Sequence, residues 1–171
     1  MNKVSFRNDV LPLKNVLFRL ALRITLNREE AEDIVQDTLI KVWNRRDSWN
    51  EIESIEAFSL TVCRNIALDR IAKSENRNAS LDDGAGTEKP DNAPTPLEQT
   101  ARNDHVRIVR EIVDSLPEKQ RSCIQLRDFE GKTYKEIASI LGISEEQVKV
   151  SIFRGRQTIK QKFQQFDSYG L

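Results

Sequence analysis

The C-terminal end of this 171-residue chain carries cationic side chains at a spacing that suits contact with a polyanion. Between residues 148 and 171 there are five basic residues and one acidic residue, although the whole chain has 27 of each. At about 100° per residue, one helix face and its flank would collect Lys149, Phe153, Arg154, Arg156 and Lys160. Lysine and arginine neutralise phosphates and bond base edges, and phenylalanine can pack on a thymine methyl. The pattern predicts a DNA-binding helix, with a solvated helix face as the alternative.

A second group of polar side chains lies on a predicted helix that begins after Asn27. Asn27 and Glu30 have the spacing of a capping box. The apolar stripe of this helix is predicted to contain Ala31, Ile34, Val35, Leu39, Val42 and Trp43. The opposite face has the acids and amides Asp33, Gln36 and Asp37 together with Ile40, which a purely solvated face would not need. This mixture favours a docking surface for another protein, with a solvated face again the alternative.

Residue types that catalysis or metal binding would need are scarce. The chain has one histidine, His105, and two cysteines, Cys63 and Cys123, that are 60 positions apart. No glycine-rich phosphate loop and no zinc or haem spacing accompanies them. We therefore expect a protein that is not an enzyme and that uses no cofactor, metal or small-molecule substrate.

The hydropathy pattern indicates a protein without direct membrane insertion. No apolar run approaches the roughly 18 residues that a membrane span needs. The N-terminus MNKVSFRNDV lacks the apolar stretch of a signal peptide. We therefore expect a cytoplasmic location.

Repeated start signals predict the helices that would position the basic face. A hydroxyl residue stands three positions before Glu or Gln at Ser115, Thr133 and Ser144, and Gly131 and Gly142 stand where the preceding helices should end. The signals predict helices at about 98–114, 115–130, 133–141 and 145–165. A short helix, a glycine turn and a second capped helix form a helix-turn-helix, whose second helix can enter the DNA major groove.

The segment 74–97 divides the chain into two parts. It contains three prolines and two glycines and has neither a helical nor a strand period. This composition is typical of a flexible linker. We predict an all-α protein with two small helical domains, at 1–73 and 98–171. The first domain should contain helices at about 10–26, from 28 onward, and at about 54–73.

Three stretches of the chain resemble regions of the bacterial RNA polymerase sigma factors. Region 4 is similar to LPEKQRSCIQLRDFEGKTYKEIASILGISEEQVKVSIFRGRQTI, region 2.2 to AEDIVQDTLIKVW, and regions 2.3 and 2.4 to EAFSLTVCRNIALDRI. The stretches follow the family's order and together contain 73 of the 171 residues. Domains 1.1 and 3 have no counterpart, so the resemblance is to the small extracytoplasmic-function group.

The resemblance implies a sigma factor that binds core RNA polymerase and recognises the −10 and −35 elements of promoter DNA. It places polymerase binding on Asp33, Gln36 and Asp37, beside the exposed Ile40. It places recognition of the −10 element, including a flipped base, on Lys41, Trp49, Arg64, Asn65 and Arg70. It places −35 recognition on Lys149, Phe153, Arg154 and Arg156, and Lys160 follows on the same face. For Trp49 a buried loop position remains an alternative, as do helix-surface salt bridges for Arg64 and Arg70.

The chain differs from the family's usual residues at three positions, and other interpretations of the sequence remain open. Val150 and Ser151 stand where the family more often has Ser and Arg, and Gly155 replaces the usual Ala, so the promoter sequence stays open. The family commonly pairs with an anti-sigma factor, which the resemblance implies here as well. Competing interpretations are a helix-turn-helix regulator with an N-terminal dimerisation or sensing domain, and a helical adaptor that binds only protein.

Overall fold

The computed structural model describes residues 3–80 and 101–168, with side chains at 3–77 and 104–166. In these ranges the secondary structure is helical and contains no strand, which confirms the predicted all-α class. The α-helices are α1 (Lys14–Thr25), α2 (Arg28–Asn44), α3 (Ile55–Ser80), α4 (Ala101–Ser115), α5 (Glu118–Ile124), α6 (Tyr134–Leu141) and α7 (Glu145–Ser168). Two compact units form. One holds α1 to α3, and the other holds α4, α5, α7 and most of α6.

The N-terminal unit is a bundle in which α1, α2 and α3 pack against one another. Its core is a set of fully buried apolar side chains: Leu17, Leu20, Ala21, Ala31, Ile34, Leu60, Cys63 and Ala67. The predicted stripe of α2 is buried at Ala31, Ile34, Val35 and Val42, as expected. Leu39 is half-buried, and Trp43 is the exception, with 44% of its surface exposed.

The first predicted helix, 10–26, is shorter than expected. A π-helical turn (Phe6–Val10) and a 3-10 turn (Leu11–Leu13) precede α1, and Pro12 in the 3-10 turn has no N–H for a helical bond. At the other end Leu26 has a left-handed φ of 57°, and its N–H donates to Leu22 O at 2.8 Å. The Oδ1 of Asn27 then accepts from Glu30 N–H at 3.0 Å, which confirms the predicted cap of α2.

The third helix continues past its predicted end at residue 73. Residues 74–80 belong to α3, so the first part of the predicted 74–97 linker is helical. The run Ser74–Ser80 is polar but contains neither proline nor glycine, and polarity alone does not end a helix. The rest of the predicted linker lies outside the described residues.

The predicted helix 115–130 is wrong in its start and its continuity. Ser115 ends α4, and its Oγ donates to Ile112 O at 2.6 Å instead of capping the next helix. Pro117 takes the N-cap position of α5, with no side-chain cap. A π-helical turn (Gln125–Phe129) follows α5. In this unit α7 packs against α4 and α5 around buried side chains that include Ile112, Leu116, Ile124 and Ile152.

Candidate nucleic-acid and protein interfaces

The predicted helix-turn-helix is formed by α6 and α7, and both helices begin at predicted capping boxes. The Oγ1 of Thr133 accepts from Glu136 N–H at 3.1 Å, and Glu136 Oε1 accepts from Thr133 N–H at 3.3 Å. Ser144 and Gln147 make the same reciprocal pair at 3.2 and 3.0 Å. Gly142 has a φ of 68°, a left-handed conformation that suits glycine in the turn. These local bonds fix the residue at which α7 begins and hence which of its side chains point outward.

The inner side of α7 is held by close packing. Val148, Ile152 and Gly155 are buried. A Cβ atom built on Gly155 would lie 3.1 Å from Cγ1 of Ile124 and 3.6 Å from Cδ1 of Leu116. Glycine therefore allows α7 to lie close to α5, and this contact fixes the rotation of α7 about its own axis.

The outer side of α7 carries most of the side chains that the sequence assigned to DNA. Lys149, Arg154 and Lys160 are exposed, and Phe153 has 62% of its surface exposed. Val150 is 46% exposed and lies one turn before Phe153. The result is a face on which positive charges flank two apolar side chains, a composition that suits the major groove.

Aromatic contacts concentrate positive charge at the start of the helix-turn-helix. The ring of Tyr134 lies 4.4 Å from Cζ of Arg127 and 5.6 Å from Nζ of Lys149. Both are cation–π distances. Periodicity within the motif does not single out Arg127, because Arg127 precedes the motif and reaches the Tyr134 ring only through the fold.

Arg156 is exposed on α7, as the sequence predicts, but it is paired with an acid of the same unit. Its Nε donates to Asp128 Oδ2 at 3.2 Å, and a second guanidinium nitrogen donates to Asp128 Oδ1. The hydrogen bond to Asp128 raises the pKa of Arg156 above its ordinary value. Asp128 lies in the π-helical turn after α5, a position that the periodicity of α7 could not reveal. The charge of Arg156 is thus already compensated within the unit.

An apolar cavity of about 390 Å³ lies in the C-terminal unit beside this ion pair. Val109 and Val113 of α4, Ile159 and Phe163 of α7, and the exposed Phe129 line it. Lys160 borders the same cavity. Apolar residues four positions apart on α4 and α7 are its only sequence signal, and they predict packing as readily as a pocket.

The face of α2 assigned to protein binding is accessible. Asp33 and Gln36 are exposed, Asp37 is half-buried, and Ile40 has 58% of its surface exposed. Lys41, assigned to the −10 element, is exposed beside them. The face therefore combines polar groups with one large apolar side chain, as the sequence pattern predicts.

Arg70, which the resemblance assigns to the −10 element, forms ion pairs with acids of α2. Its guanidinium donates to Asp37 at 2.6 Å and Glu30 at 3.2 Å, and it lies 3.5 Å from Asp33 Oδ2. Burial lowers the pKa of Arg70, but hydrogen bonds to Glu30 and Asp37 outweigh it and the pKa is raised. The structure thus joins a residue assigned to DNA with two acids assigned to protein binding, and the salt-bridge alternative describes Arg70.

The assignment of Trp49 to the −10 element also needs correction, because stacking on a base requires an exposed ring. Trp49 has 6% of its surface exposed, and its indole N–H donates to Val42 O at 3.0 Å. It packs edge-on against Trp43 at 6.2 Å, and Trp43 packs likewise against Phe6 at 5.4 Å. Arg46 lies 4.6 Å from the Trp43 ring centroid. The accessible ring is therefore that of Trp43, which the sequence analysis placed on the buried stripe.

The two other −10 candidates lie on α3. Asn65 is exposed and Arg64 is half-buried. Their helix packs on α1 and α2, and its residues Cys63 and Ala67 are buried, so the register of α3 turns Asn65 away from the core. Their roles stay predictions.

No cluster of three or more His, Cys, Asp or Glu side chains in the described ranges could hold a metal ion. In the same ranges no helix has the length and apolarity to span a membrane.

Comparison with known proteins matches both units. The family described as Sigma-70 region 2 matches residues 10–77, and that described as Sigma-70, region 4 matches residues 107–159. The chain is 33% identical over 136 residues to the ECF RNA polymerase sigma factor SigL of Mycobacterium tuberculosis, covering 78% of this chain and 75% of SigL.

Two further relatives extend the comparison. The chain is 29% identical over 163 residues to the "Probable RNA polymerase sigma factor RfaY" of Xanthomonas campestris, and it spans only 41% of that protein's length. The fold matches the sigma factor RpoE of Bartonella quintana, crystallised with the anti-sigma factor NepR. The TM-score is 0.74 at 24% identity, with 93% of this chain and 96% of RpoE covered.

Proposed function

We propose a function from the premise that this chain belongs to the extracytoplasmic-function family of RNA polymerase sigma factors. In this proposal the chain binds core RNA polymerase and directs transcription initiation at promoters with −10 and −35 elements. The observation that carries the proposal is the capped helix α7, whose exposed face holds Lys149, Phe153 and Arg154. Sigma factors are DNA-binding initiation factors, so we assign the chain no catalytic activity and no cofactor.

Recognition of the −35 element falls to α7. Lys149 and Arg154 lie in its first three turns, from which side chains reach base edges in the major groove. Lys160 lies farther along the helix and is assigned to a phosphate. Phe153 contributes apolar contact. Arg156 would contact DNA only by leaving Asp128, so we assign it to holding the π-helical turn against α7.

Recognition of the −10 element falls to α2 and α3. Lys41 and Asn65 are exposed and can bond a base edge or a phosphate. Arg64 is the third polar candidate, on α3 beside Asn65. In this conformation Trp43, rather than Trp49, exposes the ring on which an unpaired base can stack.

Binding to core polymerase falls to the α2 face of Asp33, Gln36, Asp37 and Ile40. Ile40 is the apolar centre of this face, and truncating such a residue in a desolvated interface typically costs about 1–2 kcal/mol, or about tenfold in affinity. Ile40→Ala should therefore weaken core binding. Leu11→Ala is the matched control, because Leu11 is also an exposed apolar residue of the same unit but lies outside this face.

Two further assignments follow from the family. The fold relative RpoE is bound by an anti-sigma factor, which supports an inhibitor of the same kind for this chain. The polymerase is cytoplasmic, so we place the chain in the cytoplasm. We also propose that the two units are separate domains, one for the −10 element and polymerase and one for the −35 element.

Reconstitution tests the proposal. The full chain is added to core RNA polymerase and a promoter library randomised at both elements, and the start sites are sequenced. We expect initiation from a defined subset of promoters only when the chain is present, and a changed −35 preference with Lys149→Ala. A chain that binds no core polymerase and instead forms a dimer on palindromic duplex sites would be the helix-turn-helix regulator.

A further inference from the structure

Val150 is an apolar residue at a position where neither helix formation nor core packing calls for one. It lies in the second turn of α7 with 46% of its surface exposed. Valine is a weaker helix former than the lysine, glutamate or glutamine found elsewhere on this surface. Phe153, three residues later, is its neighbour on the helix surface and is still more exposed. Two large apolar side chains thus share an exposed face with Lys149 and Arg154.

The chemistry of the major groove identifies what such a pair can contact. Base edges there present hydrogen-bond donors and acceptors and a single apolar group, the C5-methyl of thymine. A valine side chain has no donor or acceptor, so its favourable contact with a base edge is with that methyl group. The neighbouring Ser151 has a hydroxyl but is buried in the unit, so it does not compete for the groove.

We infer that Val150 is a specificity-determining residue of this chain, which selects a thymine in the −35 region through its C5-methyl group, next to a second thymine methyl contacted by Phe153. The inference rests on the proposed function and on the face of α7 that carries it. Lys149 and Arg154 hold the duplex against this face, and the two apolar side chains exclude water from the methyl groups.

Thymine-to-deoxyuridine substitution tests this inference, because it removes only the methyl group and keeps every hydrogen bond. The preferred −35 element is first selected with the reconstituted holoenzyme, and each thymine in it is then replaced by deoxyuridine. Burial of one methyl corresponds to about fourfold in affinity. We expect a loss of about this size at two neighbouring positions for the wild-type chain.

Single substitutions in α7 show which residue contacts which thymine of the −35 element. In Val150→Ala one of the two positions should become insensitive to the methyl group while the other keeps its loss. In Phe153→Ala the pattern should reverse. The matched control is Val106→Ala, the same change at an exposed valine of α4, which should retain both losses.

Three results would overturn the inference. They are equal affinity for thymine and deoxyuridine at every position, a selected −35 element of G·C pairs alone, or a Val150→Ala variant with an unchanged pattern. The proposed function survives each of them as long as initiation still depends on the −35 sequence. If no −35 sequence is selected at all, the proposed function fails and the inference fails with it.

Discussion

Replacing Gly155 by alanine should destabilise the C-terminal unit by about 1 kcal/mol, although the same change usually stabilises a helix. An alanine in a helix interior is favoured over glycine by about 1 kcal/mol, and burying its methyl group adds about 0.8 kcal/mol. The new Cβ, however, would lie 3.1 and 3.3 Å from Cγ1 and Cδ1 of Ile124. Both distances are shorter than those of ordinary carbon–carbon van der Waals contacts.

The sign depends on whether Ile124 can move. Ile124 and Leu116 are both buried, so neither side chain can swing into solvent. Inserting a methylene into a well-packed core costs about 1–3 kcal/mol. The upper part of this range exceeds the combined gain of about 1.8 kcal/mol from propensity and burial. We place the outcome there because the buried side chain of Ile124 lies directly against the α7 backbone at this point.

Chemical denaturation followed by two signals measures the effect. Both tryptophans of the chain, Trp43 and Trp49, lie in the N-terminal unit, so far-UV circular dichroism should report the loss in Gly155→Ala while tryptophan fluorescence should not. Gln157→Ala, on the exposed side of α7, is the control and should be near neutral.

Repeating Gly155→Ala in an Ile124→Val variant tests whether contact with Ile124 causes the effect. Ile124→Val removes the Cδ1 atom at 3.3 Å, so Gly155→Ala should cost less there, with a coupling of at least about 0.5 kcal/mol. A Gly155→Ala variant that is more stable than the wild type, or that shows no coupling, would refute the packing argument.

Three further predictions concern the N-terminal unit. A double-mutant cycle of Arg70→Ala and Asp37→Ala should give a coupling of about 0.5–1 kcal/mol that decreases with salt, and zero coupling at low salt would contradict the ion pair. Acrylamide should quench Trp43 in Trp49→Phe more strongly than Trp49 in Trp43→Phe, and the reverse order would mean that Trp49 is exposed. Burial raises the pKa of the Cys63 thiol from 9.0 to about 12, so the folded state keeps a proton that the unfolded state loses as the pH rises between these values. Stability should therefore fall there by about 1.4 kcal/mol per pH unit, and Cys63→Ala should remove that part of the slope.

Features encoded within a few residues could be read from the sequence. The caps at Asn27, Thr133 and Ser144 are bonds across three residues, and Gly142 ends α6 through its own backbone conformation. These features located α2, α6 and α7 and therefore the outward face of the recognition helix. The same signal failed at Ser115, because proline two positions later took the cap itself.

Features that depend on contacts between helices could not be read in this way. Helical periodicity places Arg70 and Arg156 on polar faces, but it contains no information on which carboxylate of another element lies opposite. It also cannot decide which of two tryptophans separated by six residues enters the core. That choice depends on the 3-10 turn (Arg46–Glu51), which turns Trp49 back onto Val42.

Asp128 neutralises Arg156 before any DNA arrives, and this changes how binding should respond to ionic strength. Each phosphate that a cation neutralises releases counterions, with about 0.9 units of slope in log K against log salt. Five basic residues lie between 148 and 171, but Arg156 adds to this slope only if it leaves its carboxylate. The chain should therefore have a shallower salt slope, and a lower affinity for arbitrary DNA, than the charge of α7 implies. Contacts to base edges then supply a larger share of the free energy of promoter binding.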